Sequence, residues 1–348
     1  MIKVGIAGCG SITIRRHAPE YAQNEQVQIS GFFDPIQERA RALAEQYGGK
    51  VYRSYEEMLA DKEIDAVSVC SANAFHAPMS IAALQAGKHV LCEKPMAINS
   101  TQADEMIAAS AKAKRKLMIG HNQRLAPVYK TAKKILDSGN LGKVLSFETH
   151  FSHEGPETWG VDGSAATWFF KKGEAEFGAL GDLGIHKIDL ISWLIQDRIQ
   201  EVCAAVGTLD KKDEHGIPIQ VEDNALCILK TQNGVMGSMQ VSWTNYGPED
   251  NSTFLYCTGG IMKINSDPDF SIVIHQKNGD TIYMKTEHIQ TNICQTKSGV
   301  VDAFVDCIIH DTEPVVSGES AAYAIRVVEA IKKACTLSVK VSPSKVRS

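Results

Sequence analysis

The N-terminal strand and the turn that follows it constrain the fold more than any other stretch of this chain. Ile2 to Ala7 is a short apolar run with β-branched residues, and it leads directly into Gly8-Cys9-Gly10-Ser11-Ile12-Thr13. This reads as strand, glycine turn and helix with no slack between them. Two glycines of a G-x-G-x-x-G fingerprint are present, and Thr13 stands at the third position. The turn must be tight, and the backbone after it must be free of side chains where a pyrophosphate meets the helix N-terminus. Gly8 and Gly10 meet that need, and Ser11 and Ile12 open the helix. Thr13 predicts looser packing of this helix on its sheet. Val27 to Phe33 reads as a second strand ending in Asp34, 24 residues after Gly10. An acid near that spacing hydrogen-bonds the adenosine ribose hydroxyls. It also repels a 2′-phosphate, which favours NAD over NADP. Asp34-Pro35 can start a helix as well, since Asp caps and Pro fits a first turn.

The alternation continues. Helices are expected over 35–47, 74–86 and 99–114, and strands over 64–70, 88–92 and 116–120. Strands alternating with helices imply a doubly wound parallel sheet, with ligands beyond the carboxyl ends of its strands. Those ends carry Gly8, Asp34, Ser71 with Asn73, Glu93 with Lys94, and Asn122. His76 follows Asn73 on the next helix and joins the cofactor-binding set. Lys94 in Glu93-Lys94-Pro95 lies where a nicotinamide ring belongs. There it can hold a substrate hydroxyl and stabilise a developing alkoxide.

A second informative stretch is 178–195, whose segment from 181 onward reads as a helix. Asp182 and His186 are four residues apart and share one face. A carboxylate beside an imidazole suits proton transfer. Before it, 143–153 alternates as a strand, with Leu145, Phe147, Thr149, Phe151 and His153 on one face. His150 points the other way, so the two histidines are poor partners for one metal, and no metal site is expected. His153 can reach substrate, and Trp168 can pack and line the pocket at once. Strands at about 201–208, 221–231, 234–243, 252–258, 261–265, 270–276 and 280–285 imply an open, mostly antiparallel sheet. One face packs on helices. The other needs cover, which a second copy of the chain would supply as a homo-oligomer, dimer or tetramer. Helices at 298–311 and 318–335 close the chain, the last packing back on the first domain, and 342–348 is expected to fray.

Four blocks, in order, then carry a resemblance: Gly8-Cys9-Gly10-Ser11-Ile12 with His17; Ala86-Gly87-Lys88-His89-Val90 running into Glu93-Lys94-Pro95; Asn122-Gln123-Arg124; and Asp182-Leu-Gly-Ile-His186 with Asp189 and Trp193. Together they make the chain similar to the Gfo/Idh/MocA family of dinucleotide-dependent oxidoreductases. The resemblance implies an N-terminal Rossmann domain, residues 1–122, and a C-terminal α+β domain for substrate binding and oligomerisation, residues 123–340. It implies Lys94, Asp182 and His186 as catalytic residues. His186 would be the general base toward a carbinol hydroxyl, Lys94 would orient that hydroxyl, and Asp182 would bind a neighbouring hydroxyl or polarise His186. Arg124 joins the substrate-binding set. Members close to this pattern look like inositol and sugar dehydrogenases. The sequence departs at Thr13 and at Glu176-Phe177-Gly178, where the family often has three glycines.

Composition narrows the function further. A net charge of -5 argues against a nucleic-acid partner. No apolar run approaches the roughly 20 residues of a membrane span. The nine cysteines include no CxxC pair and read as reduced core thiols of a cytoplasmic protein. A strand beginning at residue 2 leaves no room for a signal peptide. The expected function is NAD-dependent oxidation of a ring carbinol in a cyclic polyol or sugar. Two rivals use the same fold: a glycosidase that keeps NAD tightly bound as a redox cofactor, and a non-catalytic dinucleotide-sensing regulator. Accumulation of free NADH separates the first, and turnover of any polyol removes the second.

Overall fold

The computed structural model describes residues 1–286 and 297–337. Six strands form the first sheet: β1 (Ile2–Ala7), β2 (Val27–Phe33), β3 (Lys50–Val51), β4 (Ala66–Val69), β5 (His89–Cys92) and β6 (Leu117–Ile119). They are parallel, in the order β3-β2-β1-β4-β5-β6. The order reverses at β1, which has β2 on one side and β4 on the other. The loops leaving β1 and β4 therefore diverge and open a crevice between them. The strands and helices expected over 2–120 are all present to within a residue or two. The reading did not anticipate β3 or the helix Tyr55–Ala60. The latter had a signal: Ser54 caps it by accepting from the Glu57 N–H, and Glu57 reaches back to the Arg53 N–H.

Eight strands form the second sheet: β7 (Val144–Ser152), β8 (Ile199–Gly207), β9 (Asn224–Thr231), β10 (Met236–Ser242), β11 (Thr253–Cys257), β12 (Gly260–Ile264), β13 (Ile272–Gln276) and β14 (Thr281–Met284). Their order is β14-β13-β12-β11-β7-β10-β9-β8. β7 and β10 are parallel, and the other pairs are antiparallel. The inner face of β7 carries Phe147, Thr149, Phe151 and His153, all buried. Leu145, expected with them, is exposed instead. β11 pairs Tyr256 with Ser146 and Cys257 with Val144, so Leu145 is skipped in a bulge.

The helix Ile185–Ile195 lies on this inner face and buries nearly its whole circumference. Gly318–Leu337 packs on it, on β8 and on the helix Ser100–Ala113 of the first half. Just before it, the Ile119 N–H donates to the Val316 carbonyl, and Ser317 bridges Met118. The chain end thus covers the free edge of β6, as expected. Val300–Ile309 lies on the other side of the first sheet, where Val301 and Phe304 share a buried cluster with Val4 and Ile6. Eight described cysteines are free thiols; Cys203 is exposed and Cys335 only partly buried, so these two are not core residues. Cys294 and residues 342–348 lie outside the described residues.

Gly178, just before the key helix, lies against the backbone of Glu222. Its N–H donates to Glu222 Oε1 at 2.7 Å, and a Cβ placed there would overlap the Glu222 carbonyl oxygen. Backbone of β9's approach must therefore move to admit any side chain. Gly178→Ala is expected to lower stability by about 1–3 kcal/mol, seen as a lower Tm in thermal unfolding. An unchanged Tm would refute this account of the glycine.

Candidate active site

A cleft of about 550 Å³ runs from the glycine turn to the N-terminal end of the key helix. At its cofactor end, Gly8 has φ +96°, and a Cβ there would lie 2.5 Å from the Cys70 carbonyl carbon. Glycine is required because the β1 and β4 loops touch. Gly10 is the opposite case: a Cβ there would meet nothing within 4 Å, so its bare backbone faces open cleft. Thr13 is wholly buried, and its Oγ1 donates to the Gly8 carbonyl at 2.6 Å. It opens a widened, π-helical turn, Thr13–His17. The expected loosening at Thr13 does not occur, because the hydroxyl ties the helix to the glycine turn. Asp34 accepts the Cys9 N–H on Oδ2 (2.7 Å) and the Ile36 N–H on Oδ1 (2.8 Å). Both oxygens are fixed at the cleft wall, each with a lone pair left for a hydroxyl.

Ser11, Ile12, Ser71, Asn73, His76, Glu93, Lys94 and Asn122 also line the cleft. His76 does so with both ring nitrogens already engaged, 2.7 Å from the Pro95 carbonyl and 2.9 Å from that of Ser71. It joins the β4 and β5 loops. Asn73 donates to the Ala175 carbonyl at 3.0 Å, reaching the other half of the chain. Glu93 is buried and takes Arg16 Nη1 and His17 Nε2, each at 2.9 Å. Burial pushes its pKa up, yet Arg16, His17 and Lys94 outweigh burial and hold the carboxyl well below the usual range. Arg16 and His17 stand side by side on the widened turn, which aims both at one carboxylate.

At the other end, the β5 loop delivers Lys94 to the key helix. Its Nζ donates to Asp182 Oδ1 at 2.6 Å and to the Asp182 carbonyl at 3.0 Å. Trp243 Nε1 donates to Asp182 Oδ2 at 3.1 Å. Asp182 sits in a second π-helical turn, Leu180–Gly184. The expected pairing of Asp182 with His186 is not made. The turn is widened between them, both Asp182 oxygens are occupied, and His186 Nδ1 is buried with no hydrogen-bond partner. The imidazole packs edge-on against His121 and near Phe151, with ring centroids 5.7 and 6.0 Å away. Burial, then the Lys94 cation, pushes its pKa well below the ordinary value, so the ring is neutral at pH 7.

His153 and Trp168 line this end as expected, Trp168 stacked on Phe169 with centroids 3.8 Å apart. Arg124 does not. It turns away to Asp189 on the key helix, with Nε–Oδ2 2.7 Å and Nη2–Oδ1 2.5 Å, and both groups are buried. This fork braces the helix and holds the guanidinium out of the cleft lining. The sequence reading missed Trp159, Gln123, His121 and Trp243. The first two line the cleft from single short helical turns, Pro156–Trp159 and Asn122–Leu125, too short for periodicity to mark them. The departure at Glu176-Phe177-Gly178 is absorbed locally: Glu176 takes φ +60°, and Lys332 donates to its carbonyl at 3.2 Å.

These features fit NAD. A pyrophosphate would find open backbone at Gly10, Asp34 would offer its carboxylate to ribose hydroxyls, and Glu93, Lys94 and Asn122 would flank the nicotinamide. Comparison with known proteins agrees. Residues 2–121 match an oxidoreductase family with an NAD-binding Rossmann fold, and 129–263 match the Gfo/Idh/MocA C-terminal domain. Glucose-6-phosphate 3-dehydrogenase of Bacillus subtilis is 30% identical over 256 residues, 72% of this chain and 70% of that protein. Myo-inositol 2-dehydrogenase of Thermotoga maritima is 26% identical over 341 residues, 95% and 96% of the two chains. A levoglucosan dehydrogenase solved with NADH and levoglucosan shares the fold, with a TM-score of 0.85 at 22% identity over 96% of this chain and 97% of that one. Matched in both its halves, the chain belongs to the Gfo/Idh/MocA family of NAD-binding oxidoreductases.

Proposed function

We propose that the protein oxidises a ring carbinol of a cyclic polyol or sugar, with Lys94, Asp182 and His186 as its catalytic residues. The observation that carries this reading is their common position in the cleft that Gly8, Gly10 and Asp34 open at its far end. NAD, when bound, supplies the hydride acceptor. Lys94, held by Asp182 and Trp243, donates a hydrogen bond to the carbinol oxygen and stabilises the charge that develops there. His186 is neutral and so can accept the hydroxyl proton on the ring nitrogen that reaches the cleft. Asp182 fixes the ammonium and does not orient the imidazole. Residues 1–122 hold the cofactor in this reading, and 123–340 supply the substrate face and the oligomer contact. The free thiols fit a cytoplasmic setting.

The outer face of the second sheet supports a homo-oligomer. Leu226, Ile228 and Met236 are 57%, 63% and 58% exposed on the adjacent strands β9 and β10. They form an apolar patch of the kind a second copy would cover.

Four outcomes are expected. His186→Ala should lower kcat by about 10² to 10⁴ with NAD affinity within twofold, measured by NADH absorbance and by NAD titration; retained turnover would remove the general-base role. Because the His186 pKa is pushed below 6.5 and the base form is the neutral one, the acid-side fall of kcat/KM for oxidation should lie below that value, and a limb centred above pH 7 would contradict it. kcat/KM should favour NAD over NADP by at least about 10-fold, since Asp34 faces the 2′ position. In light scattering at micromolar concentration the wild type should exceed the monomer mass, and Ile228→Lys should bring it down; a monomeric wild type would end the oligomer proposal.

A further inference from the structure

Besides His186 Nδ1, two polar atoms on side chains of the cleft wall are buried and have no hydrogen-bond partner among the protein's described atoms: Gln123 Oε1 and Trp159 Nε1. Both side chains line the cleft. Neither is used by the mechanism above. Burying such atoms unpaired is costly, so each calls for a partner that the folded chain does not provide.

Their chemistry is complementary. The Gln123 amide is held from behind. Its Nε2 donates to Asn251 Oδ1 at 3.3 Å, and Tyr129 Oη approaches the same Oδ1 at 3.4 Å. Asn251 is itself anchored, its carbonyl accepting from buried Lys187 at 3.2 Å. This fixes which end of the Gln123 amide is free: an oxygen, which can only accept. The indole Nε1 of Trp159 can only donate. The indole stands edge-on between His153 and Phe169, with centroids 6.1 and 5.0 Å away, and Phe169 in turn meets Trp243, the donor to Asp182. The Trp159 indole is thereby tied to the catalytic end of the cleft, and Gln123 follows by two residues His121, whose ring meets that of His186 at 5.7 Å.

Charge limits the ligand further. The cations lining the cleft either stand near the glycine turn and Asp34 (Arg15 and Arg39) or, like Lys94 and Arg16, already hold a carboxylate. Arg124 is spent on Asp189. No cation at the catalytic end is set to receive a phosphate among the described residues.

We propose that Gln123 and Trp159 are specificity-determining residues that read two oxygens of a neutral polyhydroxylated ring, beyond the carbinol that reacts. Gln123 Oε1 takes a hydroxyl hydrogen, and the Trp159 indole gives one. The proposal rests on the dehydrogenase reading above and narrows it to unphosphorylated substrates.

The test uses the full chain with NAD and four probes: myo-inositol, D-glucose, levoglucosan and D-glucose 6-phosphate. Gln123→Met and Trp159→Phe each remove the polar atom and keep the bulk. Wild type should turn over at least one neutral probe and prefer it to the phosphorylated one. For that probe each variant should lose about 10- to 100-fold in kcat/KM, with NAD Kd within twofold. Among monodeoxy analogues of the same probe, one should be impaired with wild type and no further impaired with Gln123→Met. Unchanged kcat/KM in both variants, a parallel loss of NAD affinity, or preference for D-glucose 6-phosphate overturns the proposal while leaving the dehydrogenase reading intact. Failure of the wild type to reduce NAD with every probe overturns both.

Discussion

The ion pair between Lys94 and Asp182 is the link on which the site depends. It joins a loop of the parallel sheet to a helix laid on the antiparallel one, at 2.6 Å and with little solvent access. Taking two charges out of water is expensive, and only close geometry and further hydrogen bonds offset the cost. Here the Asp182 carbonyl and the Trp243 N–H provide them. The pair therefore sets the distance between the two sheets across the cleft, at the point where the proposed chemistry takes place.

The same logic is repeated around it. Glu93 gathers Arg16 and His17 behind the nicotinamide end, and Asp189 holds Arg124 beneath the key helix. Each of these three carboxylates is matched to a nearby cation. His186 is the exception, a ring with no charged partner in hydrogen-bond reach and with cations around it. That arrangement keeps the imidazole uncharged and available as a proton acceptor, which a paired Asp–His couple would not do in the same way. Both widened helical turns, Thr13–His17 and Leu180–Gly184, occur where these side chains must be re-aimed, which is a common use of π-helical turns.

Much of this was legible in the chain itself. Gly8, Gly10 and Asp34 declare a phosphate turn and a ribose anchor because backbone geometry leaves few other residues able to serve. The alternating strands and helices follow from periodicity. Partners were less legible than positions. Asp182 and His186 are four apart, yet a widened turn and the competing Lys94 and Trp243 divert the carboxylate. Arg124 lies at a strand end that faces the cleft, yet Asp189, three residues after His186, captures it. Leu145 fits the inner pattern of its strand, yet a single-residue bulge turns it outward. In each case a contact between residues distant in sequence decided the outcome, and local pattern carries no record of such contacts. Trp159 and Gln123 stand in segments without periodicity, so only the folded cleft reveals them.

The edge contact of Val316 and Ser317 with β6 bears on how the molecule is assembled. The parallel sheet is encoded in residues 2–119, but its open border and one of its faces are covered by residues that a ribosome delivers only after the antiparallel sheet. The nucleotide-binding half must wait, partly bare, through synthesis of the whole antiparallel sheet. Long-range closure of this kind slows folding and leaves an unpaired edge exposed in the meantime. It also means that cutting the gene between the two sheets would not release two finished modules, because the last helix belongs to both.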